Sequence, residues 1–123
     1  MKETIKLAIV GGRDFDDYDY MKKCLEGYRK ENTIIQVVSG GAKGADSLGE
    51  RWARESGIPT KIFPAQWEKY GRSAGFRRNK DIVANCDAVV AFWDGKSKGT
   101  ENTISIARTS NKKVTIYGYG YPK

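Results

Sequence analysis

Three short stretches combine glycine with ionisable side chains, each directly after an apolar run. They are "GGRDF" (11–15), "SGGAKGAD" (39–46) and "DGKSKGT" (94–100). Glycine leaves the backbone bare at an entropic cost, so its use here needs a reason. Close approach of an anion is one. With a helix starting at Ala45, the amides around Ser39, Gly40, Gly41, Ala42 and Gly44 lie at its positive end, where peptide dipoles add roughly half a charge. Such a cradle suits phosphate. A tight, well-packed turn is the plain alternative for any one loop; three loops together favour a ligand. "SGGAKGAD" carries neither GxxxxGK[ST] nor the GxGxxG spacing.

The side chains in these loops divide the chemistry. Arg13 offers a guanidinium for bidentate phosphate contacts. Asp46 would repel a phosphate held on the same amides, which leaves it ribose hydroxyls or a base donor and moves the phosphate towards another loop. Its alternative role is to complement the helix dipole. Asp14 poses the same choice, with capping of the turn before the first helix as its alternative. "DFDDYDY" (14–20) fits no EF-hand spacing and reads as a dipole-favoured helix start. No metal site and no cofactor are expected.

Composition removes other classes. A chain of 123 residues without histidine has no His-based triad and no His metal site. Cys24 and Cys86 are far apart in sequence and form no CxxC, so free buried thiols in a reducing compartment, the cytoplasm, are expected. No run is long and apolar enough for a membrane span, and Met1 opens no signal-peptide pattern. The net charge of +7 favours an anionic partner without choosing between nucleotide and nucleic acid.

The elements that would position these residues alternate. "IKLAIV" (5–10), "TIIQVV" (33–38), "TKIF" (60–63), "DAVVAFW" (87–93) and "KVTIYGY" (113–119) read as strands. Helical spacing marks 18–30, a helix from Ala45 to near Gly57, one from about Phe76 to Asn85, and 99–108. "PAQWEKYGRSAG" (64–75) reads as a loop. Strict alternation predicts one α/β, Rossmann-like, three-layer domain over residues 1–123, with a five-stranded parallel sheet in the order 3-2-1-4-5. The three glycine loops then share the carboxyl edge of the sheet. Loops 11–16 and 93–100 flank the point where strand order reverses, the usual ligand position. Arg72, Arg77, Arg78, Lys80, Lys96 and Lys98 fall in or near that edge with Trp67, Tyr70 and Trp93. Aromatics beside cations suit stacking on a base or on single-stranded nucleic acid. For Trp67 and Tyr70, anchoring of the loop stays equally open.

"GGRDF", "VVSGGAKGAD", "AGFRRN" and "DAVVAFWDGKSKGTENTISIA", in this order, resemble the YspA/YpsA-related branch of the SLOG superfamily. That superfamily includes Lonely-guy phosphoribohydrolases, the DNA-processing protein A family and sensors of NAD-derived or ADP-ribose-like signals. The resemblance implies a nucleotide-like ligand on the glycine loops. Together with the reading of the loops, it places the expected ligand contacts at Gly11, Gly12, Arg13, Asp14, Ser39, Gly40, Gly41, Ala42, Gly44, Ala45, Asp46, Arg78, Asn79, Gly99 and Thr100.

Carry-over from the Lonely-guy motif PGGxGTxxE is partial. Gly99 and Thr100 match its "GT", and Arg78-Asn79 stand where those enzymes carry an Arg-Lys pair. The motif's glutamate falls on Thr103, and Glu101 is rotated from it by about 200° on a helix of ~3.6 residues per turn. The expectation is therefore a binder of a phosphorylated, ribose-containing nucleotide derivative, ADP-ribose-like or a nucleoside monophosphate, acting in sensing or sequestration. An N-glycosidic phosphoribohydrolase is the first alternative, with no catalytic residue assigned. A single-stranded nucleic-acid binder is the second, and self-association is left open.

Overall fold

A computed structural model describes residues 3–120. Five strands are joined by helices: β1 (Glu3–Gly11), α1 (Tyr18–Arg29), β2 (Asn32–Ser39), α2 (Ala45–Glu55), β3 (Thr60–Ile62), α3 (Trp67–Tyr70), α4 (Ala74–Ala84), β4 (Ala88–Trp93), α5 (Lys98–Thr109) and β5 (Lys113–Gly118). All pairings are parallel, and the sheet order is β3-β2-β1-β4-β5. This is the expected Rossmann-like architecture.

The period of two along each strand explains the layers. Leu7 and Ile9 of β1 join Met21, Leu25, Trp52 and Ala53 on the face covered by α1 and α2. Their neighbours Ala8 and Val10 turn to Ile82, Val83, Ile104 and Ala107 beneath α4 and α5. Both faces of β1 and β4 are thus buried, which is why these strands read as unbroken apolar runs. Gly49 lets α2 settle on β1; a Cβ there would lie 2.7 Å from Ile9. Trp52, fully buried, donates its indole N–H to Glu26 at 3.3 Å.

Two local departures have simple causes. The β1–β2 register steps from Ile5↔Ile34 to Lys6↔Gln36, so Ile35 is bulged out and 45% exposed although its sequence context is apolar. Segment 64–75, expected to be loop throughout, contains the single turn α3 and a 3-10 turn, Gly71–Ser73, that runs into α4. Gly71 at φ 57° makes the turn between them, and no apolar periodicity announces such short pieces. Both cysteines are free; Cys86 is buried and Cys24 half-buried rather than fully enclosed. Among the described residues no helix is long and apolar enough to cross a membrane.

Candidate nucleotide-binding site

Gly11 of β1 pairs with Phe92 of β4, and past this pair the two strands send their chains apart. A cleft of about 570 Å³ opens there, of a size that holds a small-molecule ligand. Gly11, Gly12, Arg13 and Asp14 form one wall, Ala42 and Asp46 adjoin it, and Arg78 and Asn79 of α4 lie across. Asp94, Ser97, Gly99, Thr100 and Thr103 close the remaining side.

The start of α5 is open. Asp94 Oδ1 accepts the amides of Lys96 and Ser97, both at 2.9 Å, which fixes the approach to the helix and holds the Asp94 carboxyl below the usual range. Ser97 sits at the N-cap but its side chain caps no amide; its hydroxyl lies 3.1 Å from that of Thr100. The first-turn amides are consequently left to solvent or a ligand. A Cβ built on Gly99 meets nothing within 4 Å. No protein atom requires glycine at this position.

The start of α2 also lacks a side-chain cap, but its first amide and two amides of the loop before it are already partnered, which narrows the cradle expected at "SGGAKGAD". The Gly12 carbonyl takes the Ala45 amide at 3.1 Å, Asp46 Oδ2 takes that of Ala42 at 3.2 Å, and Ser39 Oγ takes that of Gly41 at 3.2 Å. Gly44, at φ 81°, is bare because a Cβ would lie 2.6 Å from the Arg13 backbone. Loop meets loop there, where an anion was expected. Ser39 is fully buried and donates to Glu50 at 2.6 Å. Ser39, Gly44 and Ala45 therefore hold the edge together from behind the wall. Gly40, Gly41 and Ala42 border a smaller annex of about 260 Å³ with Arg13, Lys43, Trp67 and Arg78.

Asp46 is 6% exposed in the first turn of α2. Burial pushes its carboxyl up to about 6, against the opposing pull of the Ala42 amide and the Arg78 guanidinium. Burial also lowers Arg78, with Asp46 acting against it. In both groups desolvation outweighs their mutual attraction, in keeping with the absence of a direct ion pair between them. Arg78 donates to the Gly40 carbonyl at 2.6 Å and to Asn79 Oδ1 at 3.1 Å. It is half-buried and structural as well as cationic, unlike the exposed helix-face arginines. Asn79 in turn donates to the Gly99 carbonyl at 3.3 Å and to Asn102 at 3.0 Å, so α4 holds the first turn of α5 in place.

Asp14 accepts the Tyr119 hydroxyl at 2.7 Å, and burial together with this bond raises the Tyr119 phenol. Asp17, not Asp14, caps α1, accepting the Tyr20 amide at 3.1 Å. Trp93 donates to the Ser97 carbonyl at 3.1 Å, which braces the β4–α5 loop, and it lies outside the cleft wall. Tyr70 lies under Arg77 at 4.4 Å, outside the cleft wall. Trp67, 51% exposed, lines both cleft and annex. Phe76, 49% exposed, and Arg72 also line the cleft. Phe76 carried no signal in the sequence. Ser97 and Asp94 did: a serine before a helix and an Asp-Gly turn. Thr103, 2% exposed, donates to the Gly99 carbonyl at 3.2 Å, whereas Glu101 faces solvent outside the wall.

A sheet with its cleft at the strand-order reversal defines a Rossmann-like domain with a candidate ligand site. Residues 5–70 match the YspA, cpYpsA-related SLOG family, and the chain belongs to that family. It is similar to the gene 61 protein of Mycobacterium phage D29, 38% identical over 121 residues that span 92% of this chain and 96% of that one. Its fold is similar to that of DNA processing protein A (DprA) from Streptococcus pneumoniae, with a TM-score of 0.71 and 21% identity over 90% of this chain. The match covers 49% of the DprA chain, so this chain spans about half of that protein's length.

Proposed function

We propose that the cleft binds a phosphorylated, ribose-containing nucleotide derivative, with the phosphate on the first turn of α5 and the sugar hydroxyls towards Asp46 and Asp14. The observation that carries this reading is Gly99: its bare backbone serves no packing contact, yet it stands at an uncapped helix start inside the cleft. Charge supports it. Among the described residues ion pairs join only Arg29–Glu26 and Arg51–Glu55, on helix faces, so no cleft arginine is locked to a carboxylate within ion-pair distance. In this reading residues 1–123 act as one sensing or sequestering unit in the cytoplasm, where Cys24 and Cys86 stay reduced.

The hydrolase is the second reading, and Asp46 favours it, since a buried carboxyl raised to about 6 suits proton transfer near neutrality. Against it, Thr103 presents no negative charge where a developing oxocarbenium ion would need one. The DNA-related name of the DprA neighbour supports nucleic acid as a third partner class. The experiment is chromatography of nucleoside 5′-monophosphates and ADP-ribose incubated with purified protein, beside their thermal shifts. Binding without base release is expected. An enzyme turning over at even ~1 per second would release stoichiometric base within minutes, and that result would promote the hydrolase.

A further inference from the structure

We propose that the ligand is a nucleotide phosphorylated on both sides of its ribose, with the second phosphoryl group seated in the annex beside Lys43. This rests on the nucleotide reading above and extends it. The ionisable residues lining the annex are Arg13, Lys43 and Arg78, with no carboxylate among them. The main cleft differs: its arginines 13, 72 and 78 are matched by Asp14, Asp46 and Asp94. Neither Arg13 nor Lys43 joins an ion pair among the described residues. Like charges gathered around one concavity repel each other, and an anion between them relieves that repulsion. Trp67 and Ala42 line both compartments, as do Arg13 and Arg78, so the two adjoin.

Spacing narrows the chemistry further. The first turn of α5 follows β4 and the Gly40–Lys43 segment follows β2, with β1 between those strands. Two interstrand spacings separate β4 from β2 by roughly 10 Å, so the two compartments open from different strand ends. Neighbouring phosphates of a diphosphate lie too close together to serve both ends. Phosphates on opposite sides of a ribose reach further apart than those of a diphosphate, with the sugar over Asp46 between them. A free bisphosphate and the end of a nucleic-acid strand share this chemistry.

Calorimetry with adenosine 5′-monophosphate, ADP and adenosine 3′,5′-bisphosphate tests the proposal on wild type and Lys43→Glu. The bisphosphate is expected to bind about tenfold tighter than either other ligand, the worth of a charge-assisted contact. Lys43→Glu should erase that advantage and leave monophosphate affinity within about threefold, since Lys43 is exposed and its loss does not touch the core. ADP binding as tightly as the bisphosphate, or Lys43→Glu weakening the monophosphate equally, would overturn the annex while keeping the nucleotide reading. Failure of all three ligands would remove both. The source of the second phosphate is read from 5′-phosphorylated oligonucleotides: affinity level beyond the first nucleotide means a free bisphosphate, and affinity climbing with each added nucleotide means a strand.

Discussion

Arg78 Nη1 donates to the Gly40 carbonyl at 2.6 Å, tying α4 across the cleft to the loop between β2 and α2. Removing it strands both that carbonyl and Asn79 Oδ1 in a half-buried setting. Arg78→Ala is expected to lower stability by about 1–3 kcal/mol, and to weaken ligand binding as well. Arg78→Lys keeps the charge but loses the fork, so it should recover part of the affinity and little of the stability. Denaturant melts beside calorimetry separate the two effects. Unchanged stability in Arg78→Ala would show that the bond does not brace the edge.

Gly44 and Gly99 lie at the starts of two helices and should respond oppositely. Gly44→Ala forces a side chain into φ 81° and against the Arg13 backbone, costing about 2 kcal/mol or more. A well-folded Gly44→Ala with a wild-type melting temperature would refute the loop-to-loop contact.

Gly99→Ala should leave the fold intact, because open space surrounds that position and alanine is the better helix former by up to ~1 kcal/mol. Its methyl group would stand where the phosphate is placed, so affinity should fall at least about tenfold, the worth of one lost charge-assisted contact. Isothermal titration of this variant beside a melting curve reads both. Retained affinity would move the phosphate off α5.

Asp46 ties stability to pH. Its folded value of about 6 lies above the ordinary 3.8, so the native state holds the proton more tightly than the unfolded chain. Its contribution is therefore full at low pH and is lost as pH rises through about 6. Asp46→Asn should remove that slope and be more stable than wild type at neutral pH by about 2–3 kcal/mol, with the difference gone near pH 4. The same variant should bind ligand more weakly, since its amide replaces an acceptor for the sugar hydroxyls. Such an outcome would be a trade of stability for binding. Parallel pH profiles for the two proteins would contradict it.

The sheet was legible because buried parallel strands leave apolar runs, as in "IKLAIV" and "DAVVAFW", and because glycine turns punctuate them. The edge on which the loops gather followed from topology alone. Which glycines are committed to packing did not. Gly44 and Gly99 look alike in sequence, and only the third dimension shows that one meets Arg13 and the other meets empty space. Long-range hydrogen bonds hide in the same way: nothing local to "AGFRRN" indicates that Arg78 reaches Gly40 or that Asn79 holds Gly99. Nothing local to Trp93 indicates that its indole N–H is held by the Ser97 carbonyl.

The most direct test of the nucleotide-binding reading is calorimetric titration of the wild-type protein with each nucleoside 5′-monophosphate and with its parent nucleoside. One monophosphate is predicted to bind at one molecule per chain, and loss of its phosphate to weaken binding at least about tenfold, as expected for charge-assisted bonds at a helix start. A nucleoside that binds as tightly as its monophosphate, or no binding by any member of the set, would contradict it.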